Sequence, residues 1–235
     1  MIARLAAAGL CALAVASGAT LTAPAASAAP CADVEVLWAR GTAEPGGPVG
    51  FTGLAFVEAL RLRTQGRSLR VRAVRYAASD NFGNPAKIVE TINDGVKTSQ
   101  ADIQHIARAC PRSRIVFGGY SQGAVVSGYA LVDHLQIPRK YQEYAALAPR
   151  PLPAFVTGHL AAVVFFGAPS ARFIRDTGAP PITIGARFVP KVASYCAPGD
   201  TICNGAPIGQ PSIQHALYPF NGMTFAAADF AARRL

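Results

Sequence analysis

From Ile115 to Ala124 the chain reads IVFGGYSQGA, an apolar β-branched run that ends in Gly119-x-Ser121-x-Gly123. No other stretch restricts the fold as tightly. A serine set at a sharp strand-to-helix turn has a strained backbone, and its neighbours must lack side chains that would collide there. Gly119 and Gly123 meet that need. Ala124, Val125, Val126, Tyr129, Ala130 and Val132 continue as a mostly apolar helical run. Its N-terminus lies beneath the serine, so free backbone N–H groups, that of Gln122 first, face any negative charge developing above it. This is the form of a nucleophile elbow, and an elbow needs a buried strand to carry it.

The rest of the chain supplies such a setting. Short β-rich runs occur at residues 34–39, 71–76, 115–118, 162–166 and 192–195, with helical patterns between them at about 52–63, 86–109 and 122–135. A last helix is expected at roughly 223–234. Strands that alternate with helices and are apolar almost throughout indicate a parallel sheet covered on both faces. The fold class is therefore α/β: a three-layer sandwich with a central, mostly parallel five-stranded sheet and helices on both faces. Residues 138–158, which carry several prolines, interrupt the pattern and read as an insertion.

Arg4 precedes an apolar, alanine-rich run from Leu5 to about Ala16, followed by a looser stretch ending in Ala26-Ser27-Ala28. That pattern is a secretory signal peptide over residues 1–28, and the run is too short to span a bilayer core. The remaining 207 residues, 29–235, are enough for one domain with a sizeable core. Net charge is +9 for the whole chain and +8 once Arg4 leaves. The basic residues are scattered and lack interleaved stacking aromatics, which argues against nucleic acid and for a solvated surface drawn to anionic envelope or lipid.

Export permits disulfides, and of five cysteines Cys11 leaves with the signal. Cys31 and Cys110 precede strands, whereas Cys196 and Cys203 follow one, so the two pairs sit at opposite edges of a parallel sheet. A five-residue strand is roughly 17 Å long and a disulfide needs Cα atoms within about 7 Å. The expected pairs are Cys31 with Cys110 and Cys196 with Cys203. The small loop closed by the second pair holds Asp200 at the strand C-terminal edge, the edge of Ser121, where open α/β sheets place their sites. His215 follows. The order serine, aspartate, histidine is that of the α/β-hydrolases. Asp80 and Asp176 are rival carboxylates without a covalent staple, and His105, His134 and His159 fit the order less well.

These residues carry a resemblance to the cutinases, in particular the cutinase-like serine esterases exported by actinobacteria. Pro111-x-Ser113-x-Ile115-Val116-x-Gly118-Gly119-Tyr120-Ser121-Gln122-Gly123 matches the family's nucleophile signature. Cys196-x-x-x-Asp200-x-Ile202-Cys203-x-Gly205 matches its second signature. Arg40-Gly41-Thr42 resembles the loop after the first strand, and His215-x-x-Tyr218 the histidine region. Ala206, a longer 203–215 segment and the 138–158 segment depart from the pattern. The resemblance implies a minimal α/β-hydrolase that cleaves carboxylic esters with Ser121, Asp200 and His215 as the catalytic triad. Gln122 and Thr42 would form the oxyanion hole, the latter through both its N–H and its hydroxyl. No metal or cofactor is needed. The expected substrate is an acyl ester or lipid, with peripheral contact to lipid or cell envelope and the chain acting as a monomer. Acyl transfer to an envelope alcohol and an inactive envelope-binding role are the competing readings.

In a parallel unit the helix after Ser121 runs away from the catalytic edge, so the 138–158 segment is expected at the far edge and not as a lid. Acyl-chain contacts are expected from residues 41–51, 77–84, 167–190 and 201–214, with Phe82, Phe173, Ile182, Ile184, Ile202 and Ile208 as the apolar candidates.

Overall fold

The computed structural model describes residues 30–235, apart from the side chains at positions 140, 141, 144 and 147. The signal expected at 1–28 lies outside the described residues, as does the Leu147 side chain. Five strands, β1 (Val34–Ala39), β2 (Leu69–Ala73), β3 (Arg114–Tyr120), β4 (Leu160–Phe166) and β5 (Val192–Tyr195), form one sheet in the order β2-β1-β3-β4-β5. Every pairing is parallel.

Two-residue alternation along the central strands divides the core. Leu37 and Ala39 of β1, Ile115 and Phe117 of β3, and Val163 and Phe165 of β4 point to one face. Helices α2 (Pro85–Ala109) and α3 (Gln122–Ala130) cover that face with Val96, Ile103, Ile106, Val125 and Val126. Val36 and Trp38, Val116 and Tyr120, and Val164 and Phe166 point to the other. There α1 (Gly50–Arg63) and α5 (Met223–Ala232) supply Phe56, Leu60, Ala227, Ala228 and Ala231. The Trp38 and Phe56 rings stack 5.1 Å apart at the centre of this layer.

The strand order matters for function. The chain passes from β1 outward to β2, then returns to place β3 on the other side of β1. The segments leaving β1 and β3 consequently diverge to opposite faces, to α1 and α3, and leave a crevice at their C-terminal ends.

Strands β3 and β4 are longer than expected, reaching Tyr120 and starting at Leu160, and three other elements differ from the sequence-based expectation. Strand β2 begins two residues earlier and ends at Ala73, because Arg70 and Arg72 turn inward to the fully buried Glu35 carboxylate at 3.3 and 2.8 Å. Helix α3 stops at Ala130 and not near residue 135, since Gly185 N–H caps the Leu131 carbonyl (2.9 Å) and Val132 bridges to Ile184. A short helix, α4 (Ala171–Thr177), starts where the Ser170 side chain accepts from Phe173 N–H and ends at Gly178 in the left-handed conformation (φ 75°).

The 138–158 segment forms two 3-10 stretches, Arg139–Leu147 and Ala154–Gly158. Leu152 and Val156 are buried against the α2–α3 layer. Arg114, at the start of β3, donates to Gly158 O (2.6 Å), and Lys191, just before β5, donates to Thr157 O and Leu160 O (both 2.6 Å). These contacts fasten the segment to the N-terminal edge of the sheet, opposite Ser121.

Candidate active site

Ser121 is the first residue beyond β3 and caps α3 with φ 53° and ψ −118°. It is one of three non-glycine residues with positive φ among those described. Holding a β-carbon in that region requires the surroundings to give way. They do so at Gly119 and Gly123: a β-carbon at Gly119 would lie 2.5 Å from the Gly123 carbonyl, and one at Gly123 would strike the Ala39 carbonyl and press on that of Arg40. The end of β1 is thereby packed directly on the elbow, and Thr42 follows two residues beyond Arg40. Ser121 N–H donates to Phe166 O (2.9 Å), and Ala124 N–H donates back to Ser121 O (2.9 Å).

His215 occupies a single 3-10 turn, Ile213–Ala216, and its Nε2 lies 2.9 Å from Ser121 Oγ. Its Nδ1 lies 3.0 and 2.9 Å from the two oxygens of Asp200. Asp200 is fully buried, as a carboxylate can be only when its lone pairs are filled. Ile202 N–H donates to Oδ1 (3.0 Å) and the Tyr218 hydroxyl donates to Oδ2 (2.6 Å). Burial pushes this carboxyl up, but the hydrogen bonds from His215, Tyr218 and Ile202 together outweigh it and hold Asp200 below the usual aspartate range.

The disulfide Cys196–Cys203 (Cα–Cα 5.7 Å) closes the loop around Asp200, and Asp200 N–H donates within that loop to Ala197 O (2.9 Å). Cys31–Cys110 (Cα–Cα 5.5 Å) joins the segment before β1 to the end of α2 at the opposite edge.

Four supporting residues escaped the sequence reading or had no role in it. Tyr120 donates its hydroxyl to His215 O (2.7 Å), and its ring lies 5.0 Å from the imidazole. Gly167, at φ 53°, lets the imidazole approach: a β-carbon there would sit 2.9 Å from the ring. Tyr218 is fully buried, accepts from Ala197 N–H (3.0 Å) and so directs its own proton to Asp200. Glu44, the fourth, accepts from Gly41 N–H and Thr52 N–H (both 2.8 Å). The chain signal for Tyr120 and Tyr218 was present, since both flank site residues, but an aromatic beside an active residue reads equally as core.

Gln122 is buried, with its backbone N–H in the first turn of α3 and its side-chain amide donating to Ser79 O (3.1 Å). Thr42 is half-buried in the turn after β1. His215 is paired with Asp200 and with neither rival carboxylate: Asp80 is exposed, and Asp176 faces Arg172 (3.7 Å) and accepts from Ile208 N–H (3.3 Å).

Of the apolar candidates for the acyl cleft, three are placed elsewhere. Ile184 bridges to Val132 beyond the far end of α3, Ile182 packs on Gly128 in that helix, and Ile202 is a buried part of the Asp200 loop. Phe82 and Ile208 are exposed and Phe173 half-buried. Ile213, Leu217 and Phe220, around His215, are exposed apolar residues that the sequence reading did not single out. Among the described residues no cluster of His, Cys, Asp or Glu could hold a metal ion, and no helix is long and apolar enough to cross a membrane.

The family model described as Cutinase matches residues 30–235. The chain is 44% identical over 169 residues to a protein named probable carboxylesterase Culp7 from Mycobacterium tuberculosis, covering 72% of this chain and 86% of that one. It is 40% identical over 214 residues to carboxylesterase Culp1 from Mycobacterium bovis, covering 90% and 85%. Among solved structures, a Trichoderma reesei cutinase in complex with a phosphonate inhibitor superposes with a TM-score of 0.62 at 27% identity, over 87% of this chain and 77% of that one. A match over the whole described chain, together with relatives at these identities, shows that the protein belongs to the cutinase family.

Proposed function

We propose that this chain is a secreted serine carboxylesterase that cleaves acyl esters through a covalent acyl-enzyme on Ser121. The observation that carries the reading is the continuous hydrogen-bonded line from Ser121 Oγ through His215 to Asp200, with the serine on a strained elbow. The names of the carboxylesterase relatives point the same way.

In the first half-reaction Ser121 Oγ attacks the ester carbonyl as its proton passes to His215 Nε2, and Asp200 stabilises the imidazolium that forms. The tetrahedral oxyanion is met by the N–H of Gln122 and by the N–H and hydroxyl of Thr42, donors fixed before the charge develops. Collapse breaks the bond to the alcohol, which leaves with the proton from Nε2. In the second half, His215 takes a proton from water, the hydroxide adds to the acyl carbon, and the acid departs as the proton returns to Ser121 Oγ. No step calls on a metal or cofactor.

Export is supported by the leader-like N-terminus and by two disulfides in the described domain. Exposed Phe82, Ile208, Ile213 and Phe220 lie on the segments that carry or adjoin the site, which supports an acyl or lipid substrate and peripheral contact with a lipid surface. Nothing in the arrangement requires more than one copy of the chain.

The test is labelling with a fluorophosphonate probe, which reports an activated serine. Wild type should label and Ser121→Ala should not. Failure of the wild type to label while it hydrolyses p-nitrophenyl butyrate would rule out Ser121 as the nucleophile.

A further inference from the structure

The turn that carries Thr42 is tied to helix α1 by one side chain. Gly41, Thr42, Ala43 and Glu44 form a tight turn closed by Glu44 N–H to Gly41 O (3.2 Å), with Ala43 forced into positive φ (44°). Ala43 N–H reaches across to Ala78 O (3.0 Å), and the Arg40 guanidinium donates to Ala77 O (2.8 Å). The Glu44 carboxylate folds back over this turn. Its Oε2 accepts from Gly41 N–H (2.8 Å) and its Oε1 from Thr52 N–H (2.8 Å), the latter in the first turn of α1.

We infer that Glu44 is the positioning residue of the oxyanion loop, a strut that ties the backbone just before Thr42 to the N-terminus of α1 and so fixes the Thr42 donors relative to Ser121. The inference rests on the proposed role of Thr42. Helix α1 is anchored in the Trp38 layer through Phe56 and Leu60, so the strut adds the rigidity of the core to the turn's own backbone bonds.

The surroundings are shaped for this carboxylate. A β-carbon at Gly50 would overlap it, and Gly50 itself sits at φ 71°, so the residue that begins α1 is one that leaves the space open. Burial pushes the Glu44 carboxyl above the usual glutamate range, while the N–H bonds from Gly41 and Thr52, the Thr52 side chain and the charge of Arg40 oppose that rise without cancelling it. A group kept as a half-buried acid beside the phenols of Tyr76 and Tyr120 is an expensive way to hold a turn. What it offers is geometry: one rigid planar group accepts from two backbone donors on separate segments. A glutamine of the same shape can accept only one, and its amide would face the other N–H.

The experiment is a double-mutant cycle with Glu44→Gln and Thr42→Ala, read as kcat and KM on a soluble butyrate ester and as inhibition by an alkyl boronic acid, which mimics the tetrahedral state. Loss of one oxyanion donor typically costs about 10² to 10³ in rate, so a displaced loop should cost about 10- to 100-fold in kcat with KM within about twofold. Boronate affinity should fall by a similar factor. Glu44→Gln should cost clearly less in the Thr42→Ala background than in the wild type. Glu44→Asp, which keeps the charge but cannot reach both donors, should fall between and guards against a glutamine variant that does not fold. Unchanged kcat in Glu44→Gln and Glu44→Asp while Thr42→Ala is impaired would overturn the strut and leave the oxyanion reading intact. Unchanged kcat in Thr42→Ala would remove the hydroxyl from the oxyanion reading and leave the backbone N–H of residue 42 as the only donor there. A Glu44 effect equal in both backgrounds, or one confined to KM, would mark it as ordinary fold support.

Discussion

Asp200 stays an anion out of contact with water because its two oxygens receive hydrogen bonds from His215, Tyr218 and the Ile202 N–H. Its carboxyl is held below the usual aspartate value, 3.8, so the fold favours the ionised form. For a depressed carboxyl the sign is fixed: the stability it contributes is present above that value and drains away as pH falls through it. Urea unfolding of wild type and Asp200→Asn should therefore show a difference that is largest near neutrality and shrinks as pH drops below about 4. A constant difference would mean that the fold does not prefer the carboxylate. In catalysis Asp200→Asn should cost about 10³ to 10⁴ in kcat, because the imidazole loses the partner that sets its tautomer. Tyr218→Phe removes one of the donors while keeping the ring in place. We expect it to lower kcat by about 10-fold and stability by about 1–3 kcal/mol, the range for leaving a buried acceptor and the Ala197 N–H short of a partner. Steady-state kinetics and a urea midpoint on the same preparation check both.

At the scale of elements, the parallel sheet and the elbow were legible because each rests on a local pattern: two-residue alternation, β-branched runs, and glycines where backbone must meet backbone. What was missed depended on partners distant in sequence. Arg70 lies outside the strand expected at 71–76 and is drawn into β2 with Arg72 by Glu35, while Ile184 reads as a cleft residue and is captured by Val132. Glu44 was invisible for a similar reason, since its partners are backbone N–H groups with no side-chain signature. These placements change the expected specificity determinants. Ile208→Ala or Phe82→Ala should shift the acyl-chain length giving maximal kcat/KM, whereas Ile184→Ala should leave the profile unchanged and lower stability. Shortening residues 139–147 should likewise leave it unchanged, because the flanking Leu152, Val156 and Gly158 tie that segment to the edge opposite Ser121. A profile over esters of increasing length decides, and a shift in the shortened variant would place the segment over the site.

Across the whole molecule the two disulfides divide between stability and function. Cys31–Cys110 closes a loop of about 80 residues at the non-catalytic edge and by the chain-entropy relation contributes about 4.5 kcal/mol. Cys196–Cys203 closes about eight residues around Asp200, for about 2.5 kcal/mol. Cys31→Ser with Cys110→Ser should therefore lower the unfolding midpoint and spare kcat, and Cys196→Ala with Cys203→Ala should lower kcat out of proportion to its smaller stability loss. Wild-type turnover in the second pair would reduce the Asp200 loop to a stability device. The cysteine pairs could be inferred from the sequence because a parallel sheet has two distinguishable edges. Ser121 and His215 should act as one unit in forming an acyl-enzyme, which kcat for Ser121→Ala, His215→Ala and the double variant measures. Each single change should lower kcat by about 10⁴-fold or more, and the double variant should be no slower than either. Losses that multiply in the double variant, or a Ser121→Ala enzyme that keeps more than about a hundredth of wild-type kcat, would contradict it.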